Sequence, residues 1–367
     1  MSGPTPKPGI MNIAPYVGGE SSLDGQDRII KLSSNEGAFG PSPLAQAAYT
    51  DAASDLHRYP DGGCVALRAA IAELNGLEAD RIVCGAGSDE IISLLCQAYA
   101  GAGDEVLYSQ HGFLMYAISA KAAGATPVFA PETNLTSNVD ALLGAVSDNT
   151  RLLFLANPNN PTGTYLSGDE LWRLRRELRD DIILVIDAAY AEYASRDDYT
   201  PGVDLVDGGG NVVMTRTFSK IYGLGGVRLG WAYCPAGIAD VLNRIRGPFN
   251  VGSPALAAGL AALGDSEFIE RARTHNDTWL EWTRSQFLSL GLEVPPSAGN
   301  FVLVRFPEQP GRNADIAEAC DTFLKSRGII VRRMDAYGLD DCLRVTIGLK
   351  DEMQAAFDAF KEFLEQI

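Results

Sequence analysis

The sequence predicts an α/β protein: a large lobe built on a mainly parallel sheet sandwiched by helices, then a smaller α+β lobe. Three observations predict it. Seven short apolar runs between residues 81 and 234 alternate with amphipathic stretches, the pattern of a sheet covered on both faces. After about residue 255 the texture changes to long helical stretches with three apolar runs among them. The length of 367 residues, 46% of them hydrophobic, favours two lobes over one compact unit.

The elements follow in chain order. Residues 1–45 are rich in Pro, Gly and Ser and read as an extended arm. The strand candidates of the large lobe, 46–255, are RIVC 81–84, EVLY 105–108, TPVFA 126–130, RLLFLA 151–156, IILVID 182–187, NVVMT 211–215 and RLGWAYC 228–234. SGDE at 167–170 fits a capping box that opens the helix after it. The small lobe, 256–367, opens within a helical stretch over roughly 253–290. FVLVRF 301–306, a helix near 313–327, GIIVR 328–332, CLRVTIG 342–348 and a C-terminal helix complete it.

Charge and cysteine usage narrow the partners. A formal net charge of −17 argues against nucleic acid and anionic membranes. It leaves room for a small anionic substrate, because a few arginines can dominate one pocket. The six cysteines form no C-x-x-C pair and several sit in apolar runs, so they read as buried thiols of a reducing compartment. Three scattered histidines make a histidine-built metal site a poor reading, and no metal is expected. The N-terminal MSGPTPKPGIMNIAPY has no apolar leader core, and no run reaches the length of a membrane span. A cytoplasmic protein is expected.

Ligands of open α/β sheets bind beyond the carboxyl ends of the strands, so those loops hold the candidate chemistry. After RIVC comes GAGSDEII, with Ser88 as a candidate helix N-cap and Asp89 behind it, where free N–H groups suit a phosphate. A plain capped helix explains Asp89 equally well. A dinucleotide fingerprint fails there, because Glu90 stands where the third glycine belongs. After RLLFLA comes NPNNPTG, 157–163, which carries Asn160; taken alone, it is an ordinary Asn/Pro/Gly turn. After IILVI comes DAAYAEY, with Asp187 at a strand end, a helix N-cap or a buried acid in need of a partner. Tyr190 follows three residues on. After NVVMT comes TRTFSKIYGLGGVRLG, 215–230, with Ser219, Lys220 and Arg228. A lysine placed after an apolar run and just before a glycine-rich turn is either a snorkelling strand-end residue or one that forms a Schiff base with a carbonyl. Arginine suits bidentate phosphate binding.

Together these loops supply an anion cup, an amide, an acid, a phenol, a lysine and an arginine. Pyridoxal phosphate requires that set: a lysine for its aldehyde, a carboxylate for its ring nitrogen, donors for its ring oxygen, and a phosphate anchor.

The residues resemble the fold-type I pyridoxal phosphate aminotransferases, of class I/II, in NPNNPTG, DAAY and the SK-x7-R spacing. Over nearly the whole chain the sequence is similar to the histidinol-phosphate aminotransferases. PYVGGE 15–20, KLSSNEGAFGPSP 31–43, RYPDGG 58–63, GAGSDEII 85–92, RGPFNVGSPALAA 246–258 and CLRVTIG carry that likeness. The resemblance implies Lys220, Asp187 and Tyr190 as catalytic residues, with Asp187 on the ring nitrogen and Asn160 and Tyr190 on the ring oxygen. It implies Ser88, Asp89, Ser219 and Arg228 around the cofactor phosphate and Phe113 stacked on the ring, where the family often has tyrosine. Tyr59 would reach the phosphate of a partner subunit. Tyr16 would cover the neighbour's substrate from an arm whose PYVGGE departs from the usual PY-x-PG. Asn35, Arg332 and Arg344 would bind substrate. The implied reaction moves the amino group of histidinol phosphate to 2-oxoglutarate in histidine biosynthesis, within a homodimer that shares its sites. Aromatic amino acid transamination and, less so, phosphothreonine decarboxylation are the alternatives.

Overall fold

The computed structural model describes residues 3–16, 18–23, 25, 28–307 and 316–367. Val17 of PYVGGE and residues 313–315 of the expected helix lie outside them. The chain enters through a two-residue strand, β1 (Ile30–Lys31), then helices α1 (Pro43–Asp51) and α2 (Val65–Asn75). Seven strands form one sheet: β2 (Ile82–Gly85), β3 (Glu105–Ser109), β4 (Thr126–Ala130), β5 (Thr150–Ala156), β6 (Ile183–Asp187), β7 (Val212–Thr217) and β8 (Gly230–Tyr233). Their order in space is β2-β8-β7-β6-β5-β3-β4. Strands β4, β3, β5, β6 and β7 run parallel, and β8 is antiparallel to β7 and β2.

Strand alternation divides the apolar side chains between two cores. On one face Leu153 and Leu155 of β5 and Leu184 and Ile186 of β6 pack with α2, α6 (Gly168–Glu177) and α9 (Ser253–Leu263). On the other, Leu152, Phe154, Ile183 and Val185 pack with α3 (Ser88–Tyr99), α4 (Leu114–Ala123) and α8 (Ala236–Ile245). Two short helices, α5 (Val139–Gly144) and α7 (Val203–Asp207), fill between crossovers. The strands read as continuous apolar runs because both faces are covered.

Past α9, the long α10 (Ser266–Ser289) leads to β9 (Phe301–Arg305), α11 (Ile316–Ser326), β10 (Ile329–Ile330), β11 (Arg332–Arg333), β12 (Cys342–Thr346) and α12 (Lys350–Gln366). An antiparallel sheet β11-β12-β9 forms there, and β1 pairs in parallel with β10. The entering segment is thereby sewn to the last part of the chain. Among the described residues no helix is long and apolar enough to cross a membrane.

Four local expectations change. The stretch expected as one helix over 253–290 is two helices, because Gly264 ends α9 and Asp265 restarts the chain by accepting from the Phe268 N–H at 3.2 Å. Helix starts compete with continuation where a good N-cap follows a glycine. Helix α1 begins inside the expected arm: Ser42 caps Ala45 and Pro43 takes the first position. Ser88 is not an N-cap; that position is Gly87 at φ +85, and Ser88 is the first helical residue. Only half of the box at SGDE forms, since Ser167 accepts from Glu170 N–H while the Glu170 carboxylate turns to Arg173.

Candidate active site

The register brings Ala156, Asp187 and Thr215 abreast at the carboxyl ends of β5, β6 and β7. Beyond them opens a cavity of about 290 Å³. Asp187 forms its floor. It is 5% exposed, and its carboxylate accepts from the Tyr116 hydroxyl at 2.8 Å and the Thr215 hydroxyl at 3.1 Å. The short 3-10 helix that follows, Ala191–Tyr193, has Tyr190 at its N-cap position, so Asp187 is not a helix cap. Burial pushes its carboxyl above the ordinary range, more than those two hydrogen bonds pull it down. Among the described residues no cation pairs with it. A buried acid left in this way suits a cationic ligand group.

Lys220 and Tyr190 face the same cavity, with Lys220 Nζ 5.6 Å from the Tyr190 ring centre. The Tyr190 hydroxyl accepts from Asn35 Nδ2 at 2.9 Å. The lysine loop is held close to the entering segment. A Cβ at Gly223, φ +67, would lie 2.0 Å from the Gly40 carbonyl oxygen, so only glycine fits that crossing.

At the far end sits an anion cup. It is made by the N-terminus of α3, Ser219 and Arg228. Arg228 has φ +58, rare for a side chain of its size. Its guanidinium reaches Ser219 Oγ at 3.4 Å, the Gly225 carbonyl at 3.1 Å and the Asp89 carboxylate at 3.1 Å. Two glycines make room. A Cβ on Gly87 would lie 2.3 Å from the guanidinium, and one on Gly230 would lie 2.4 Å from Ser88 N. Free N–H groups at a helix start and an arginine together suit a phosphate.

Arg344 comes in from β12. It is buried, donates to Asn160 Oδ1 at 2.5 Å and to the Ser33 carbonyl at 2.8 Å, and among the described residues leaves its Nε without a partner. Burial holds its guanidinium below its usual value. An unmatched buried cation beside a cavity is a ready partner for an anion. Arg332 and Tyr337 line the same side.

The cavity brings together every site residue expected from the sequence except Tyr59. Tyr59 is 83% exposed and stacks on Phe249, centroids 4.7 Å apart, outside the cavity. Tyr16, expected over a neighbour's substrate, lines the cavity of its own chain. The arm is turned back because Ser33 Oγ donates to the Glu20 carbonyl at 2.9 Å and Glu20 pairs with Lys325 at 2.5 Å. Asn35 sits behind Tyr190, 1% exposed. Sequence reasoning missed Tyr116, whose hydroxyl holds Asp187. It also missed the His111–Glu132 pair at 2.7 Å that braces the loop carrying Phe113. The signal for Tyr116 was an aromatic in the first turns of a helix that follows a strand end.

A model of the aminotransferases of class I and II matches residues 27–360. The histidinol-phosphate aminotransferase of Paramagnetospirillum magneticum is 63% identical over 99% of both chains, and that of Rhodospirillum rubrum is 58% identical over 98% of this chain and 97% of its own. The chain belongs to the histidinol-phosphate aminotransferase family. A crystal structure of the family's Sinorhizobium meliloti enzyme, in complex with pyridoxal-5'-phosphate, superposes with a TM-score of 0.89 at 30% identity, covering 98% of this chain and 97% of that one. The seven-stranded sheet and its helices are thus the fold of the histidinol-phosphate aminotransferases, fold-type I.

Proposed function

We propose that the protein transfers the amino group of L-histidinol phosphate to 2-oxoglutarate, giving imidazole acetol phosphate and glutamate, with pyridoxal 5'-phosphate as cofactor. The carrying observation is the buried Asp187 carboxylate, without a cation among the described residues, on the floor of a cavity that also holds Lys220 and an anion cup. The names of the relatives support the same reading. The residues fit the cofactor at both ends: phosphate to the α3 N-terminus, Ser219 and Arg228; ring nitrogen to Asp187. When bound, pyridoxal phosphate supplies an aldehyde for amine exchange and a ring that takes up electron density from the substrate Cα.

The protein's own groups do the rest. Asp187 would keep a proton on the ring nitrogen, Asn160 and Tyr190 would hold the ring oxygen, and Phe113 would stack on the ring. Lys220, freed by the incoming amine, would take the proton from the substrate Cα and serve as its carrier. Arg344, with Arg332 and Tyr16 at the same side, grips the substrate anion. Residues 1–45, 46–255 and 256–367 are proposed as arm, large and small domains, except that α9 packs in the large core and belongs there.

The active unit proposed is a homodimer with shared sites, in the cytoplasm. Helices α1 and α9 pack together and carry exposed Leu44, Tyr49 and Leu260, and Tyr59, exposed and stacked on Phe249, follows nearby in sequence. Six unbridged buried cysteines fit a reducing compartment. Single-turnover spectroscopy of the loaded protein tests the substrate. Histidinol phosphate is expected to react fastest. Preference for phenylalanine or tyrosine, or carbon dioxide release from phosphothreonine, would replace the reading. Mixing and refolding inactive Lys220→Ala with inactive Tyr59→Ala tests the sharing: a hybrid with one intact site should recover part of the activity.

A further inference from the structure

The polar groups behind Tyr190 form a chain whose direction can be worked out. The Asn35 backbone N–H donates to Thr346 Oγ1 at 2.9 Å. The Asn35 side chain bridges Thr346, 3.0 Å from Oδ1, and the Tyr190 hydroxyl, 2.9 Å from Nδ2. Thr346 is buried and has no other acceptor for its hydroxyl proton among the described residues. That proton therefore needs the Asn35 oxygen, which fixes the amide with its NH2 toward Tyr190. The Tyr190 oxygen is thus an acceptor on its Asn35 side. Its own proton has no acceptor among the described residues, and the residue borders the cavity.

The backbone is arranged to allow this. Asn35 has φ +53, a conformation asparagine tolerates better than most residues. In it, one residue presents both its N–H and its side chain to Thr346. Asn300 Nδ2 clamps the same turn through the carbonyls of Asn35 at 3.2 Å and Glu36 at 3.1 Å.

We propose that Asn35 is a positioning residue for Tyr190: aimed by Thr346, its amide occupies the accepting side of the phenol and turns the phenol proton into the cavity, as a donor to the cofactor's ring oxygen. This rests on the proposed cofactor and assigns Asn35 a role other than substrate contact. A donor on that oxygen stabilises its anionic form and so eases loss of the proton shared with the Lys220 nitrogen. A carboxylate at position 35 reverses the chain, because it can only accept and draws the phenol proton to itself.

The test is a pH titration of the visible absorption of the cofactor-loaded protein. Asn35→Asp and Thr346→Val should both move the midpoint upward, the first by about one pH unit, a tenfold change in proton affinity. Tyr190→Phe should move it the same way, and Asn35→Asp/Tyr190→Phe should move it no further than Tyr190→Phe alone. An unchanged midpoint in Asn35→Asp, or additive shifts in the double variant, would overturn the proposal. A second arm needs no cofactor. In the apoprotein the Asn35 side-chain NH2 should exchange slowly with solvent, and faster in Thr346→Val and Tyr190→Phe; equal exchange in all three would also overturn it. Failure of the cofactor reading is distinct, since the wild type would then show no visible band, and the exchange arm decides the chain of bonds alone.

Discussion

The two ends of the cavity carry opposite charge and are built in opposite ways. At the cup, Arg228 and Asp89 are 47% and 41% exposed and already paired with each other. At the floor, Asp187 is enclosed, held by two hydroxyls, and faces no cation among the described residues. An exposed pair is worth roughly 0–1 kcal/mol, so an incoming phosphate can displace Asp89 from Arg228 at little cost. A buried lone carboxylate is an unfavourable state that a cationic ring nitrogen relieves. The cup therefore selects by shape and number of donors, while the floor selects by charge and is strained until filled.

The largest expected effect lies between the ends. Lys220→Ala should bind the cofactor through cup and floor yet lose the covalent link and nearly all turnover. Absorption before and after borohydride, with a steady-state assay, checks this, and normal turnover would remove the central role of Lys220. Next is Asp187→Asn, which keeps the shape of the floor and removes its charge. Turnover should fall by orders of magnitude in kcat with a smaller change in KM. A change confined to KM would make Asp187 a structural residue. The same substitution should stabilise the apoprotein. The folded-state pKa of Asp187 is raised, so its contribution is present at low pH and is lost as pH rises through the carboxylate range. Melting curves of the two apoproteins should separate in favour of Asn at neutral pH and converge in acid.

Smaller effects follow at the rim. Arg344→Ala should cost histidinol phosphate roughly 1.5–3 kcal/mol, about ten- to a hundredfold in kcat/KM, and phosphate-free amines much less. Equal losses for both would assign Arg344 to a carboxylate. The smallest effect is expected from Asp89→Asn. It removes the competitor at Arg228 and should leave cofactor affinity within a few-fold of wild type, with a stronger salt dependence. A large loss of affinity would show that the cup needs the Asp89 charge and would end the contrast between the two ends.

How far this was legible in the sequence depends on where each residue sits. Asp187 and Lys220 could be read because a charged residue at the end of an apolar strand has few explanations. Arg228 was legible from its spacing after Lys220. Tyr116 was hidden inside an apolar helix start, where an aromatic residue reads as core, and only the fold brings its hydroxyl to Asp187. Asn35 and Thr346 lie 311 positions apart, and no local pattern ties them. The break between α9 and α10 lies in Gly264-Asp265, but the helical period resumes directly after it and hides it. The contacts of the proposed homodimer follow no local pattern, and Tyr59 shows why: it is exposed, stacks on Phe249 and lies outside the cavity.

All six thiols lie beneath the surface, which makes the native protein nearly blank to thiol-directed labels. Gly226, between the lysine loop and Arg228, is exposed, and a side chain there would meet no heavy atom within 4 Å. A Gly226→Cys variant should thus take a single fluorophore at the rim of the cup. The emission of that one dye could then follow cofactor and substrate arrival in real time, without a background from the other cysteines.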